Sequence, residues 1–169
     1  MASMKDIRIS KVVINIGTGS DSNAHDNAVK ILQTITNAKP ADEIAKKRNP
    51  AFKISKGQKI GAFVTLRKEK ALSLLPRLFD AVDNRIKASS ISRNSINFGI
   101  KEYIDISGIK YDPKIGMLGM NVNIAFARPG MRVSTRKAKR SKVPQKHSAI
   151  SKNEIIDYVK KSFNVEVVE

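Results

Sequence analysis

Ile7–Ile16 reads IRISKVVINI, and the reading of this stretch decides the fold. Branched valine and isoleucine dominate it, side chains that fit a pleated backbone. Ile9, Lys11 and Val13 alternate with Val12, Ile14 and Ile16, so the stretch predicts a β-strand. Gly17-Thr18-Gly19-Ser20 breaks it. Ala24, Ala28, Ile31, Leu32 and Ile35 then recur at helical spacing, and Pro40 cannot continue that helix. Ala41 to Ala45 fits a short strand. Ile60–Arg67 (IGAFVTLR) and Met120–Phe126 (MNVNIAF) repeat the alternation of the opening stretch.

Leu72, Leu75, Leu78, Phe79 and Val82 give Glu69 to Ile86 a helical pattern, with Pro76 predicting a kink or break inside it. Ser89–Asn97 (SSISRNSIN) reads as a polar turn. Arg128-Pro129-Gly130 reads as a turn after the third strand. Ser151 and Glu154 form an S-x-x-E capping box ahead of Ile155, Ile156, Val159 and Phe163, which predicts a last helix. Val165 to Val168 fits a final edge strand. Strands and helices interleave through long non-helical connections. The pattern predicts one α+β domain over residues 1–169: a mainly antiparallel sheet, helices on one face, and the other face left for a partner.

Charge names the class of partner. Ile44–Lys68 contains eight basic residues and no acid, and Pro113–Asn153 contains ten and no acid. The other 14 basic residues are matched by 15 acidic ones, so the net charge of +17 resides in those two stretches. Cations concentrated in this way form a surface for a polyanion. With a pI near 10.2, nucleic acid comes first and an anionic membrane second. No apolar run approaches the ~18 residues a membrane span needs. Asp6 and Arg8 fall where a signal peptide needs an apolar core, which argues against export. Cysteine is absent, which removes disulfides, thiol nucleophiles and thiolate zinc sites and fits a reducing cytoplasm.

The candidate sites divide by chemistry. His25 and His147 are the two histidines, each in a polar segment with no carboxylate pair at ligand spacing, and both read as surface residues. The acidic residues are scattered, so neither a catalytic centre nor a metal or cofactor site is expected. Gly17-Thr18-Gly19 resembles the start of a dinucleotide fingerprint, but the third glycine position is Ser22, and a strand-to-helix turn is the better reading. Lys46–Lys59 (KKRNPAFKISKGQK) is a long basic loop around Phe52, with Gly57 permitting close backbone approach. That mixture suits non-helical RNA, cations meeting phosphates and Phe52 meeting a base or ribose; the alternative is a solvated loop whose Phe52 folds back onto the core. Arg132–Lys146 (RVSTRKAKRSKVPQK) has no aromatic and no apolar face, so it suits a phosphate backbone and is expected to order on binding.

Together these segments resemble the large-subunit ribosomal protein L5 family in its archaeal form. The resemblance rests on KVVINIGTGS (Lys11–Ser20), ITNAKP (Ile35–Pro40), KISKGQKIGAFVTLR (Lys53–Arg67), NFGIKEYIDI (Asn97–Ile106), YDPKIGMLGMNV (Tyr111–Val122) and RPGMRV (Arg128–Val133). It implies a structural constituent of the large ribosomal subunit in the cytoplasm, binding 5S rRNA in the central protuberance and helping anchor it to the large-subunit rRNA. Lys11, Asn15, Asn37, Lys39, Thr65 and Arg67 would then face 5S rRNA. Arg48, Phe52, Lys53, Lys56 and Gln58 would face the peptidyl-site tRNA. Arg128, Arg132, Arg136, Lys137, Lys139, Arg140 and Lys142, in a basic hairpin or arm at 128–150, would meet rRNA phosphates. Neighbouring ribosomal proteins would be further partners, and no membrane. Where the family often has Gly-Gln, this chain has Asn37-Ala38. Two other classes need features not found here: a nucleic-acid-processing enzyme needs a clustered acidic or histidine site, and a membrane-surface protein needs an apolar face on the arm.

Overall fold

The computed structural model describes residues 4–168, so the first three residues and the last of the 1–169 domain lie outside it. The opening strand is β1 (Arg8–Gly17), with Val12, Ile14 and Ile16 buried on one side. It lies at the centre of a six-stranded sheet and pairs antiparallel with β3 (Lys59–Leu66) and β7 (Met120–Ala127). The short strand β2 (Ala41–Ile44) pairs with β3, and β6 (Ser95–Ile100) pairs with β7, giving the order β2-β3-β1-β7-β6-β5, where β5 is Ile91–Ser92. All pairings in this sheet are antiparallel, as the alternating stretches predicted.

Helices cover one face. α1 (Ser22–Thr36) starts at Asp21, whose carboxylate accepts from Asn23 N at 2.9 Å, and buries Ala28, Ile31, Leu32 and Ile35. It stops at Asn37, which takes the left-handed conformation at φ 48. Glycine is the usual residue at such a helix end and asparagine the common substitute, so Asn37 can hold this geometry. α2 (Lys68–Asp80) buries Ala71, Leu74, Leu75, Leu78 and Phe79. The last long helix, Lys152–Phe163, carries the predicted capping box: Glu154 N donates to Ser151 Oγ and Ser151 N to Glu154 Oε2. Phe79 packs 5.8 Å from Phe98 and 5.2 Å from Phe163, joining α2, β6 and the last helix in one core.

Three expectations are corrected. The helix over 69–86 is shorter. Its pattern through Leu72 fails because Leu72 is 48% exposed while Leu74 faces the core. Pro76 neither breaks nor ends it, since proline lies on the exposed side, where water can satisfy the carbonyl one turn back. Asp83 and Asn84, both left-handed at φ 55, end the helical course, and Arg85–Lys87 forms β4. Ser89–Asn97 is not merely a turn: Ile91 and Ile96 pair across β5 and β6, both buried, around Arg93-Asn94. His25 is not a surface residue; it sits within α1 and is 4% exposed.

The C-terminal strand β8 (Glu166–Val168) forms as predicted, pairing with β4 in a separate parallel ribbon. The 128–150 segment contains no paired strand. Single helical turns, α3 (Arg132–Thr135) and α4 (Gln145–Ser148), stand in it before the last helix, α5.

Candidate nucleic-acid interface

The face of the sheet opposite the helices is built by register. Val13 pairs with Thr65 on one side and Asn123 on the other, and Asn123 pairs with Asn97, making one row across four strands. The next row is Phe63, Asn15, Asn121 and Gly99. Neighbours in a row stand roughly 5 Å apart, within reach of one another and of a shared ligand. Lys11 follows two residues before Val13 on the same face. Arg67 directly follows Leu66, the last β3 residue paired with β1, and Lys39 lies two residues before Ala41, the first β2 residue paired with β3.

Lys11, Asn15 and Thr65 thus share the open face, with Arg67 and Lys39 just beyond the ends of β3 and β2. Asn37 is exposed at the end of α1, two residues before Lys39, and its neighbour Ala38 packs partly into the core.

Sequence reasoning missed the asparagines. Asn97, Asn121 and Asn123 join Lys11, Asn15 and Phe63 around a depression of about 680 Å³. The Asn123 amide donates to the Asn97 carbonyl. Gly99 adds no side chain to the row, and Asn121 Oδ1 lies at contact distance from where a Cβ would stand. Alternation in MNVNIAF could have found Asn121 and Asn123, since each lies between buried residues. Only Lys11 and Glu43 carry charge in this depression, so amide hydrogen bonding governs it.

The basic loop leaves the end of the sheet where β1 finishes and β3 begins. Ala45 N donates to Gln58 O and Gly57 N to Ala45 O, both at 2.9 Å, and Asn49 and Ile54 exchange two backbone hydrogen bonds beyond them. A short 3₁₀ turn, Pro50–Phe52, ends at Lys53 in the left-handed region. Phe52 is 69% exposed, which removes the alternative of a ring folded onto the core. Arg48, Lys53 and Lys56 are exposed with it. Gln58 is engaged within the protein: its Oε1 accepts from Ser55 N at 3.0 Å, and its Nε2 donates to Ser20 O at 3.2 Å.

Lys59 closes the loop by bonding Asp42 at 2.7 Å, and buried His25 places Nε2 3.2 Å from the other Asp42 oxygen, poorly aligned for a hydrogen bond. The Lys59 hydrogen bond holds the Asp42 carboxyl below its ordinary value, against a smaller effect of desolvation, with the Lys59 and His25 charges helping; the same bond raises Lys59. The Gly17-Thr18-Gly19 turn offers no phosphate cradle, because the amides of Thr18 and Gly19 both donate to Ile60 O.

The basic arm leaves the opposite end, where Ala127 pairs with Arg8. Arg128 is 16% exposed and places Nη2 2.9 and 3.1 Å from the two Glu154 oxygens, so it ties the turn to α5. Glu154 is held below the usual carboxylate range first by its backbone hydrogen bond to Ser151, then, against desolvation, by Arg128. Arg132, Arg136, Lys137, Lys139, Arg140 and Lys142 are exposed. The arm is folded locally: Arg136 Nε donates to Lys139 O at 2.8 Å, and Arg140 Nε to Ser134 O at 2.7 Å. Among the described residues no group of acidic or histidine side chains is placed to hold a metal, and no helix is long and apolar enough to cross a membrane.

Two family profiles match the chain, ribosomal protein L5 over residues 3–54 and the C-terminus of the ribosomal L5 family over residues 59–158. A large ribosomal subunit protein uL5 from Sulfurisphaera tokodaii is 42% identical over 167 residues, 98% of this chain and 94% of that one. The uL5 protein of Picrophilus torridus is 44% identical over 168 residues, 98% and 95% of the two chains, and that of Nanoarchaeum equitans 43% over 166, 98% of each. With this similarity running end to end through the sheet, the loop and the arm, the chain belongs to the ribosomal protein L5 family, a family of structural ribosomal proteins rather than enzymes.

Proposed function

We propose that this protein binds 5S rRNA on the open face of its sheet and helps anchor it to large-subunit rRNA in the central protuberance. The basic loop meets the peptidyl-site tRNA, and neighbouring ribosomal proteins complete the assembly. One observation carries this reading: a face lined by asparagine amides lies between two cationic segments at opposite ends of the same strand. β1 has ten residues, so its ends are about 30 Å apart at ~3.3 Å per residue. Amides offer donors and acceptors to base edges and ribose hydroxyls, while lysine and arginine answer phosphates.

Arg48, Phe52, Lys53 and Lys56 form the tRNA-facing group, with Gln58 holding the base of their loop. The exposed arm cations Arg132, Arg136, Lys137, Lys139, Arg140 and Lys142 contact rRNA phosphates, and Arg128 positions the arm through Glu154. Asn15→Ala with Thr65→Ala weakens 5S rRNA binding, whereas Lys53→Ala with Lys56→Ala spares it and impairs tRNA contact in assembled subunits. Equal loss of 5S rRNA binding in both pairs would remove this division of roles.

A further inference from the structure

At the base of the arm lies a second concavity, of about 420 Å³, separate from the open face. Its walls combine two chemistries. Met4, Pro129 and Met131 are apolar, while Arg128, Lys146 and His147 are basic, and no carboxylate lines it. The N-terminal segment borders one side, where the terminal methyl of the largely exposed Met4 lies against Gly130. Arg128 is held from one side by Glu154, and its Nε is buried without an acceptor.

We infer that this pocket receives one unstacked nucleotide of RNA, its base between the methionines and the Arg128 plane and its phosphate beside Lys146 and His147. The volume falls in the range of pockets that enclose small ligands, about 300–1,000 Å³. Thioethers and guanidinium planes are both good partners for an aromatic face. A bare phosphate would use the cations and leave the apolar wall wet; an apolar ligand would leave the cations without purpose. A nucleotide uses both. The inference rests on the RNA-binding reading above and adds a site that captures a single base where the arm otherwise offers only charge.

Methionine methyl resonances of the intact protein test it, because Met4 and Met131 line the pocket while Met117 and Met120 do not. Adenosine 5′-monophosphate should shift Met4 and Met131 with a Kd on the order of 1 mM and leave Met117 and Met120 unmoved. Lys146→Ala with His147→Ala, both on the exposed α4 turn, should weaken that binding about tenfold. Equal shifts with inorganic phosphate at matched ionic strength, equal movement of all four methyls, or no shift at about 20 mM nucleotide would each overturn the inference. 5S rRNA binding by the same preparation separates the two readings: if it persists while the pocket is silent, only the pocket is wrong.

Discussion

Asn121 and Asn123 allow the open face to be probed without disturbing the fold, because both are exposed and their buried neighbours Val122 and Ile124 hold the strand. Consider alanine at both positions, then aspartate at both. Alanine removes two amides that each offer a donor and an acceptor. At about 0.5–1.5 kcal/mol per hydrogen bond, the pair costs about 1–3 kcal/mol, or roughly 5- to 150-fold in 5S rRNA affinity. The depression is nearly neutral, so this loss should not vary with salt.

Aspartate keeps the shape and adds two negative charges. Repulsion between unit charges at 4 Å runs from about 1 kcal/mol in water to about 4 near a protein surface, and salt screens it. The aspartate variant should therefore bind far worse than the alanine variant at ~50 mM salt and approach it at ~500 mM. Asn97, which accepts from Asn123, can turn its amide to donate to the new carboxylate, so the fold survives. Filter binding of 5S rRNA across a salt series reads both variants. Wild-type affinity in the alanine variant, or a loss in that variant that vanishes with salt, would show that the face does not contact RNA through its amides.

Other expected outcomes concern stability and the loop. Gly61→Ala places a Cβ 2.6 Å from the Ile16 carbonyl, a backbone atom that cannot move aside, so a loss of about 2–4 kcal/mol is expected by urea unfolding; an unchanged midpoint would refute it. Asp42 has a depressed carboxyl value when folded, so its stabilising effect is complete above the unfolded value near ~4 and is lost as pH falls through the folded one. Melting curves between about pH 5 and pH 2 should show a smaller acid loss in Asp42→Asn than in the wild type, and an equal loss would mean that the Lys59 tie has no energetic effect. Phe52→Ala should change stability by no more than about 0.5 kcal/mol, because the ring is exposed, yet weaken the tRNA contact of assembled subunits; a large drop in melting temperature would show that the ring packs inward.

The strands were legible because a sheet with one buried face writes itself as alternation. Val12, Ile14 and Ile16 interleave with Lys11, Val13 and Asn15, and the structure places the two sets on opposite faces. The capping box at Ser151 was legible for a similarly local reason. Long-range effects were not. Nothing near His25 in sequence signals burial, because Asp42, which its ring faces, arrives from β2. Helical spacing continues past Asp80 to Ile86, and only the left-handed Asp83-Asn84 pair ends it, a conformation each tolerates without declaring. Ile91 and Ile96 each stand alone among polar residues, too sparse to show a period, and are buried because the hairpin they form joins the sheet at β7 and packs into the common core. Arg128 was counted with the arm by charge, and its engagement depends on Glu154 of α5.

The interface inherits its precision from the core. Side chains of a strand alternate with period two, so a slip of β1 by one residue against β3 and β7 would turn Lys11 and Asn15 inward and push Val12 and Ile14 into water. Burying two such side chains is worth about 3–6 kcal/mol at ~1.5–3 kcal/mol each, which forbids the slip. Gly61 adds a steric lock, because its α-carbon must pass the Ile16 carbonyl at a distance no larger residue permits. The face therefore needs no hydrogen-bond network of its own to hold Asn15, Phe63, Asn121 and Thr65 in place; hydrophobic burial on the far side sets their register. The cations require no such accuracy, since a phosphate accepts approach from many directions, and most of them lie on the loop and arm. On the proposed reading, specific contacts would be carried by the rigid strands and electrostatic ones mainly by the projections. That division predicts the order in which these parts would meet RNA: charge acts over about a Debye length of 8–10 Å and would draw the two ends in, and the amides would engage only once the sheet is seated.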